Sequence, residues 1–173
     1  MQIKIAILVN TVVLGILAGL TFCVQLGLIP VLNSFDASSY TKVMQGIIPP
    51  LTAAAKPMMV IGSISFLIRF VKQKVKWTLS HYCIMLGFLF FIAGGIITLV
   101  GNFPINNRIM TWSTENPPAA WQSLREKWNQ FNLWRFVFAQ ISFIAGLTPL
   151  LFYRIGALKE KGNAASNPAI ITL

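Results

Sequence analysis

Four long apolar runs limit what this 173-residue chain can fold into. They cover about residues 5–29, 50–70, 83–101 and 136–153. Each is close to the roughly 20 apolar residues that an α-helix needs to cross the hydrocarbon core of a bilayer. A mean hydropathy of +0.69 and a charged fraction of only 10% are typical of a membrane protein. We therefore expect an all-α fold, an integral membrane four-helix antiparallel bundle.

Residues 1–155 are predicted to form one membrane domain with these four spans. The connection 102–135 is long enough to cover one end of the bundle, so we expect an extracytoplasmic helical cap between the third and fourth helices. Before the second span, a loop at 30–46 is predicted to hold a short helix capped by Asp36 or Ser38. Pro49-Pro50 then suits the start of the second span. Residues 156–173, rich in Gly, Asn, Ala and Ser, are predicted to be a disordered tail.

The basic residues predict the orientation of the chain. Eight of the 14 Lys and Arg residues flank the ends of apolar runs on one predicted side of the bilayer: Lys4, Arg69, Lys72, Lys74, Lys76, Arg154, Lys159 and Lys161. The segment from Arg69 to Lys76 has no acidic residue and should be a cytoplasmic loop, with both termini cytoplasmic in a plasma or inner membrane. The bilayer is thus the expected partner. The net charge of +10 does not indicate nucleic-acid binding, because these residues do not share a soluble face with aromatic ones.

Residues that could carry metal or redox chemistry are scarce. All acidic residues are predicted to lie in loops or the tail: Asp36, Glu115, Glu126 and Glu160. Without an intramembrane carboxylate, a proton-coupled carrier is not expected. His81, the only histidine, is interpreted as an interfacial residue, so we expect no metal and no cofactor. No CxxC motif is present, and Cys23 and Cys83 are expected at different depths, too far apart for a disulfide.

Lys56 stands inside the second apolar run, next to Pro57. Two interpretations are open. Its side chain can snorkel outward from one or two turns below the membrane surface, which costs little for a shallow lysine. Alternatively, it faces a polar cavity within the bundle.

The connection 102–135 carries a polar and aromatic stripe. If the chain is helical from about Pro118, five side chains at intervals of four, three, four and three fall within an arc of roughly 80°. They are Trp121, Arg125, Trp128, Asn132 and Arg135. The opposite face carries polar and charged residues typical of a water-exposed helix surface, so the stripe is predicted to point inward. Asn102 and Asn106 lie one turn apart beside Pro104, which should open the helix and free backbone carbonyls.

Two interpretations of these residues remain open. In the first, arginine and asparagine side chains satisfy the carbonyls of the broken helix, and the tryptophans anchor the membrane interface. In the second, the arginines and asparagines bind an anionic or enolic oxygen while the tryptophans flank a planar apolar ligand.

The block Asn102-Phe-Pro-Ile-Asn106-Asn107, followed by the Trp-x3-Arg pattern of Trp121 and Arg125 and by Trp128, Asn132 and Arg135, resembles the signature of the anthrone-oxygenase-like family of small four-helix membrane proteins. The resemblance extends to the order of spans over nearly the whole chain. It implies an oxygenase that converts aromatic anthrones to anthraquinones with dioxygen and without an evident metal or organic cofactor.

By this resemblance, three residues are expected to be catalytic: Arg125, Arg135 and Asn106. Four are expected to bind a lipophilic, possibly aromatic substrate: Asn102, Trp121, Trp128 and Asn132. The alternative is a non-catalytic membrane subunit or a lipid-binding or small-ligand-binding protein with a purely structural cap. In that case, or in addition, glycine faces at Gly15 and Gly19 and at Gly87, Gly94 and Gly101 could mediate a homo-oligomer.

Overall fold

The computed structural model describes residues 2–72 and 78–166, with side chains for 5–72 and 78–149. Within these residues the fold is entirely helical and has no strand. The helices are α1 (Gln2–Phe22), α2 (Ile29–Asn33), α3 (Ala37–Lys72), α4 (Leu79–Ile97), α5 (Phe103–Ile109) and α6 (Trp121–Ser166). Two π-helical segments, Cys23–Leu28 and Thr98–Asn102, connect α1 to α2 and α4 to α5. The expected all-α class is confirmed.

Three helical stretches are long and apolar enough to cross a membrane: Ile5–Asn33, Ala37–Lys72 and Leu79–Ile109. Their outer surfaces carry many exposed large apolar side chains, such as Leu8, Ile64 and Leu89. Exposed aliphatic surface of this extent would be unfavourable in water and suits contact with lipid. These features identify an integral membrane protein. The predicted fourth span, 136–153, lies within α6 and stays a prediction, because the described side chains of α6 end at Pro149.

The second span begins earlier than predicted. Its helix starts at Ala37, where Asp36 accepts a hydrogen bond from the Ser39 amide over 2.7 Å, as an N-cap should. Hydrogen bonds from the backbone amide and side chain of Ser39, and from the Ser38 amide, lower the pKa of the exposed Asp36 carboxyl. The helix then passes through Pro49, Pro50 and Pro57. The prediction of a helix start at Pro49-Pro50 was wrong, since membrane helices tolerate the backbone bonds that proline removes.

Each π-helical segment ends two residues before a proline, at Leu28 before Pro30 and at Asn102 before Pro104. The amide of Ile29, before Pro30, donates to the carbonyl of Val24, and the amide of Phe103, before Pro104, donates to that of Thr98. Both bonds reach back five residues instead of four, which locally widens the helix. Pro104 therefore disturbs the helix as expected, but the chain continues through the disturbance into α5.

The charge pattern suggested that Arg69 belongs to a loop. It is instead a buried residue of α3 that is 2% exposed. Its guanidinium donates to Asn10 Oδ1 of α1 and, over 3.0 Å, to the Gly146 carbonyl of α6. The Asn10 amide donates in turn to Ser65 Oγ over 3.1 Å. Arg69 thus joins three helices inside the molecule. His81, expected at the interface, is also buried, and its ring stacks on Phe70 at 5.1 Å.

Glycines let α4 approach α6 closely. A Cβ at Gly87 would lie 3.2 Å from the Ser142 carbonyl oxygen, and Ser142 Oγ donates to the Gly87 carbonyl over 2.8 Å. A Cβ at Gly101 would lie 2.5 Å from the ring of Phe131. The predicted close helix contacts are therefore made within the chain. A homo-oligomer formed through glycine faces remains a prediction.

Two further expectations concern the cysteines and the tail. Cys23 and Cys83 are both free thiols, as expected. The helix α6 continues to Ser166, past residue 156 where we expected the tail to begin. Residues 167–173 lie outside the described part of the chain.

Candidate substrate site

The first turns of α6 place the predicted stripe toward the protein. Trp128 and Asn132 are 3% and 4% exposed, and Trp121, Arg125 and Arg135 are half-buried. The residues expected on the water-facing side are all exposed: Gln122, Ser123, Glu126, Lys127 and Gln130. The helical period therefore predicted the orientation of this face correctly.

Four of the predicted site residues form a chain of hydrogen bonds. The Trp128 indole N–H donates to Asn106 Oδ1 over 2.8 Å, which links α6 to α5. The Asn132 amide donates to the Trp128 carbonyl over 2.8 Å. Arg135 Nη1 donates to Asn132 Oδ1 over 3.2 Å. Because each group holds the next, the guanidinium and both amides have fixed positions.

This chain lines a small inner cavity of about 50 Å³. Its polar wall consists of Asn106, Trp128, Asn132 and Arg135, and its other walls are mostly aliphatic. About 10–15 Å³ of such volume holds one water molecule. The inner cavity therefore has room for a few water-sized molecules but not for a tricyclic ring.

A larger outer groove of about 400 Å³ lies between α3 and α5. Ligand pockets in proteins usually measure about 300–1,000 Å³. Four residues line both spaces and form a wall shared by the groove and the inner cavity: Ile48, Thr52, Phe103 and Asn106. The arrangement offers an open groove for a ring and a small, partly enclosed space beside it.

Arg125 and Trp121 line neither space. Arg125 Nη1 donates to the carbonyls of Leu32, Asn33 and Phe35, over 3.3–3.5 Å, at the C-terminal end of α2. Its guanidinium also lies 4.7 Å from the Trp121 ring centroid. These contacts supply a side-chain donor to carbonyls at the end of a helix, where intrahelical donors run out. They correspond to the structural interpretation of the stripe.

Asn102, a predicted substrate-binding residue, ends the π-helical segment of the third span and is fully buried. Both polar atoms of its side chain lack a hydrogen-bond partner among the described residues. A buried amide without partners costs about 1–3 kcal/mol, so this residue is poised to accept or donate a bond. It lines neither the groove nor the inner cavity.

Lys56 is a groove residue that the sequence-based site set did not include. It is exposed, lines the outer groove, and places Nζ 5.7 Å from the Phe103 ring centroid. The side chain lies at the surface and borders an open, largely apolar groove rather than a polar cavity within the bundle. The sequence signal for this groove residue was a lysine inside an apolar run.

Charge at the site comes from arginine and lysine. Burial lowers the pKa of Arg135 to about 10, which still leaves the guanidinium protonated at neutral pH. Among the described residues, no group of three His, Cys, Asp or Glu side chains could hold a metal ion. The described site therefore offers cations and amides to a ligand, and these groups suit an oxyanion.

The fold and this site define an all-helical membrane protein with a cationic, amide-lined pocket. The family model described as anthrone oxygenase matches residues 50–145, more than half of the chain. The chain belongs to the anthrone oxygenase family, as its sequence signature suggested. The match includes Lys56, both lining asparagines of α5 and the whole stripe of α6, but neither α1 nor α2. Comparisons with curated proteins and with solved structures give no match.

Proposed function

We propose that this chain is a membrane-embedded, cofactor-independent oxygenase that acts on a lipophilic, anthrone-type ring compound. One observation carries the proposal. The hydrogen-bonded chain from Arg135 to Asn106 lies inside the region that matches the family. It lines an inner cavity that shares a wall with a ligand-sized groove. The groove suits the ring and the inner cavity suits dioxygen.

The reaction that family membership suggests balances without another reactant. One anthrone and one O2 give one anthraquinone and one water. Loss of a methylene proton to solvent leaves a delocalised anion, which transfers electrons to O2 as the new carbon–oxygen bond forms. The peroxide anion takes a proton back from solvent to give a hydroperoxide. The hydroperoxide then loses water together with the remaining hydrogen on that carbon, so one oxygen atom becomes the carbonyl and the other leaves with two hydrogens.

The chain's own residues would lower the barrier by placing fixed positive charge and amide donors beside the developing anion. Arg135 and Asn132 would stabilise oxygen-centred negative charge in the inner cavity, and Asn106 in the shared wall would orient the ring oxygen. Trp128 would hold Asn106 in place. Arg125 and Trp121, which line neither space, would support the site by fixing the end of α2.

We further propose the membrane arrangement that the sequence predicts. The helices would form an antiparallel four-helix bundle with both termini cytoplasmic. The segment 102–135 would then cap the extracytoplasmic end. Contacts of α1 with α3 and α6, and of α4 with α3 and α6, support such a bundle. In this arrangement a lipophilic substrate reaches the groove from the outer leaflet.

The non-catalytic alternative has its own support. Arg125 donates hydrogen bonds to backbone carbonyls, and the inner cavity alone is too small for a ring. If the asparagines and Arg135 likewise only stabilise the packing of the helices, the cap is structural and the protein is a membrane subunit or a lipid-binding protein.

Oxygen uptake by the purified protein in nanodiscs, with an anthrone as substrate, separates the two functions. We expect Arg135→Gln to lower the rate about 100-fold, the usual loss when one anion-stabilising donor is removed. The control is Arg108→Gln, because Arg108 is exposed and lines neither space. Thermal unfolding of both variants checks folding. Equal rates for Arg135→Gln and the wild type would favour the structural alternative.

A further inference from the structure

Lys56 is the one charged residue among the described side chains that line the outer groove. It projects from α3 and faces the α5 side of the groove, where Phe103, Asn106 and Asn107 lie. Its ammonium group is 5.7 Å from the Phe103 ring centroid, within the range of a cation–π contact. The ammonium group thus lies near the aromatic ring that lines the opposite, α5 side of the groove.

The rest of the groove is suited to a flat apolar body. Ile48, Pro49, Ala53 and Met110 supply aliphatic surface, and the Phe103 ring supplies an aromatic face. The amides of Asn106 and Asn107 lie on the same side as this ring, where they can bond to ring oxygens. A planar ring compound in this groove would place any substituent at the rim next to Lys56.

We propose that Lys56 makes the outer groove selective for planar ring compounds that carry an ionised acidic substituent, a carboxylate or a phenolate. The inference rests on the proposed function, because it assigns the substrate class of the same site. Lys56 would be a specificity-determining residue that positions the ring, with Arg135 left to act at the inner cavity.

The test compares two probes of the same shape: anthraquinone-2-carboxylate, which is anionic, and anthraquinone-2-carboxamide, which is neutral. Binding is measured by quenching of tryptophan fluorescence, with the full chain in phosphatidylcholine nanodiscs. We expect the wild type to bind the carboxylate about fivefold more tightly, the upper end of what an exposed ion pair contributes. Because added salt screens an exposed pair, this preference should shrink as ionic strength rises.

Lys56→Met should remove the preference and leave binding of the carboxamide unchanged, and Lys56→Arg should retain it. Lys42→Met is the matched control, since Lys42 is an exposed lysine of the same helix that does not line the groove. Equal binding of the two probes by the wild type would overturn the inference. Equal losses in Lys56→Met and Lys42→Met would also overturn it, because they would indicate only general attraction to a basic protein.

Oxygen uptake with an uncharged anthrone keeps the two proposals separable. If uptake depends on Arg135 while both probes bind equally, the substrate class is wrong and the proposed function stands. If neither probe binds and no uptake occurs, the site itself is wrong, and both proposals fail together.

Discussion

At the scale of single residues, Arg69 shows how a buried guanidinium is bound in this membrane protein without a carboxylate partner among the described residues. The partners of Arg69, Asn10 Oδ1 and the Gly146 carbonyl, are both neutral oxygens. Carbonyl and amide oxygens satisfy the donors of a guanidinium without a second charge that would also have to be buried. Oxygens from two neighbouring helices thus accept hydrogen bonds from Nη1 and Nη2 of the buried guanidinium.

Replacing one member of this cluster should cost more than replacing two. We expect Asn10→Leu to lower the free energy of unfolding by about 3 kcal/mol, because it leaves the buried Arg69 with a single described partner. The double variant Asn10→Leu with Arg69→Leu should recover most of this loss, since it removes the uncompensated charge. Unfolding by SDS titration in mixed micelles measures both. A double variant less stable than the Asn10 variant would contradict the account.

The residue scale also shows where sequence reasoning reached its limit. The helical period correctly placed Trp128, Asn132 and Arg135 on an inward face. It could not separate Arg125 from Arg135, because the two differ in what lies opposite: the end of α2 in one case and a cavity in the other. Arg69 was counted as a loop charge because its partners come from distant segments of the chain.

At the scale of elements, the packing of α4 against α6 depends on Gly87. This glycine brings α4 so close to the backbone of α6 that an added Cβ would lie 3.2 Å from the carbonyl oxygen of Ser142. Backbone atoms cannot move aside as a side chain can, so the two helices would have to separate.

Gly87→Val should therefore lower the free energy of unfolding by about 2 kcal/mol through overpacking. Gly19→Val is the control, because a Cβ at Gly19 would meet nothing within 4 Å. Its effect should stay within about 0.5 kcal/mol, since valine and glycine have similar helix propensities. Equal losses in the two variants would indicate a general cost of valine in these helices rather than close packing of α4 on α6.

Elements also explain which helix boundaries could be predicted. The apolar runs gave the positions of the described spans, because burial in lipid requires length and hydropathy alone. Their ends were less predictable: proline suggested a start at Pro49-Pro50, yet α3 begins at Ala37. Widened turns before Pro30 and Pro104 keep the helices continuous, and neither π-helical segment has a sequence signature that identifies it in advance.

For the whole molecule, orientation in the membrane is the prediction that the fold leaves for experiment. The basic residues around 72–76 should be cytoplasmic, and the cap at 102–135 should face outward. In a variant with Cys23→Ser and Cys83→Ser, a cysteine at Glu126 should react with an impermeant maleimide added to intact cells. A cysteine at Lys74 should react only after lysis. Labelling of the Lys74 variant from outside would reverse the proposed orientation.

The central claim is that the chain itself directs dioxygen onto an anthrone, and isotope transfer tests it most directly. Purified protein in nanodiscs is given an anthrone under 18O2, and the product is analysed by mass spectrometry. The account predicts an anthraquinone with one 18O atom, formed faster than without protein and slowly with Arg135→Gln. Product formed at the protein-free rate, or with its new oxygen taken from water, would contradict it.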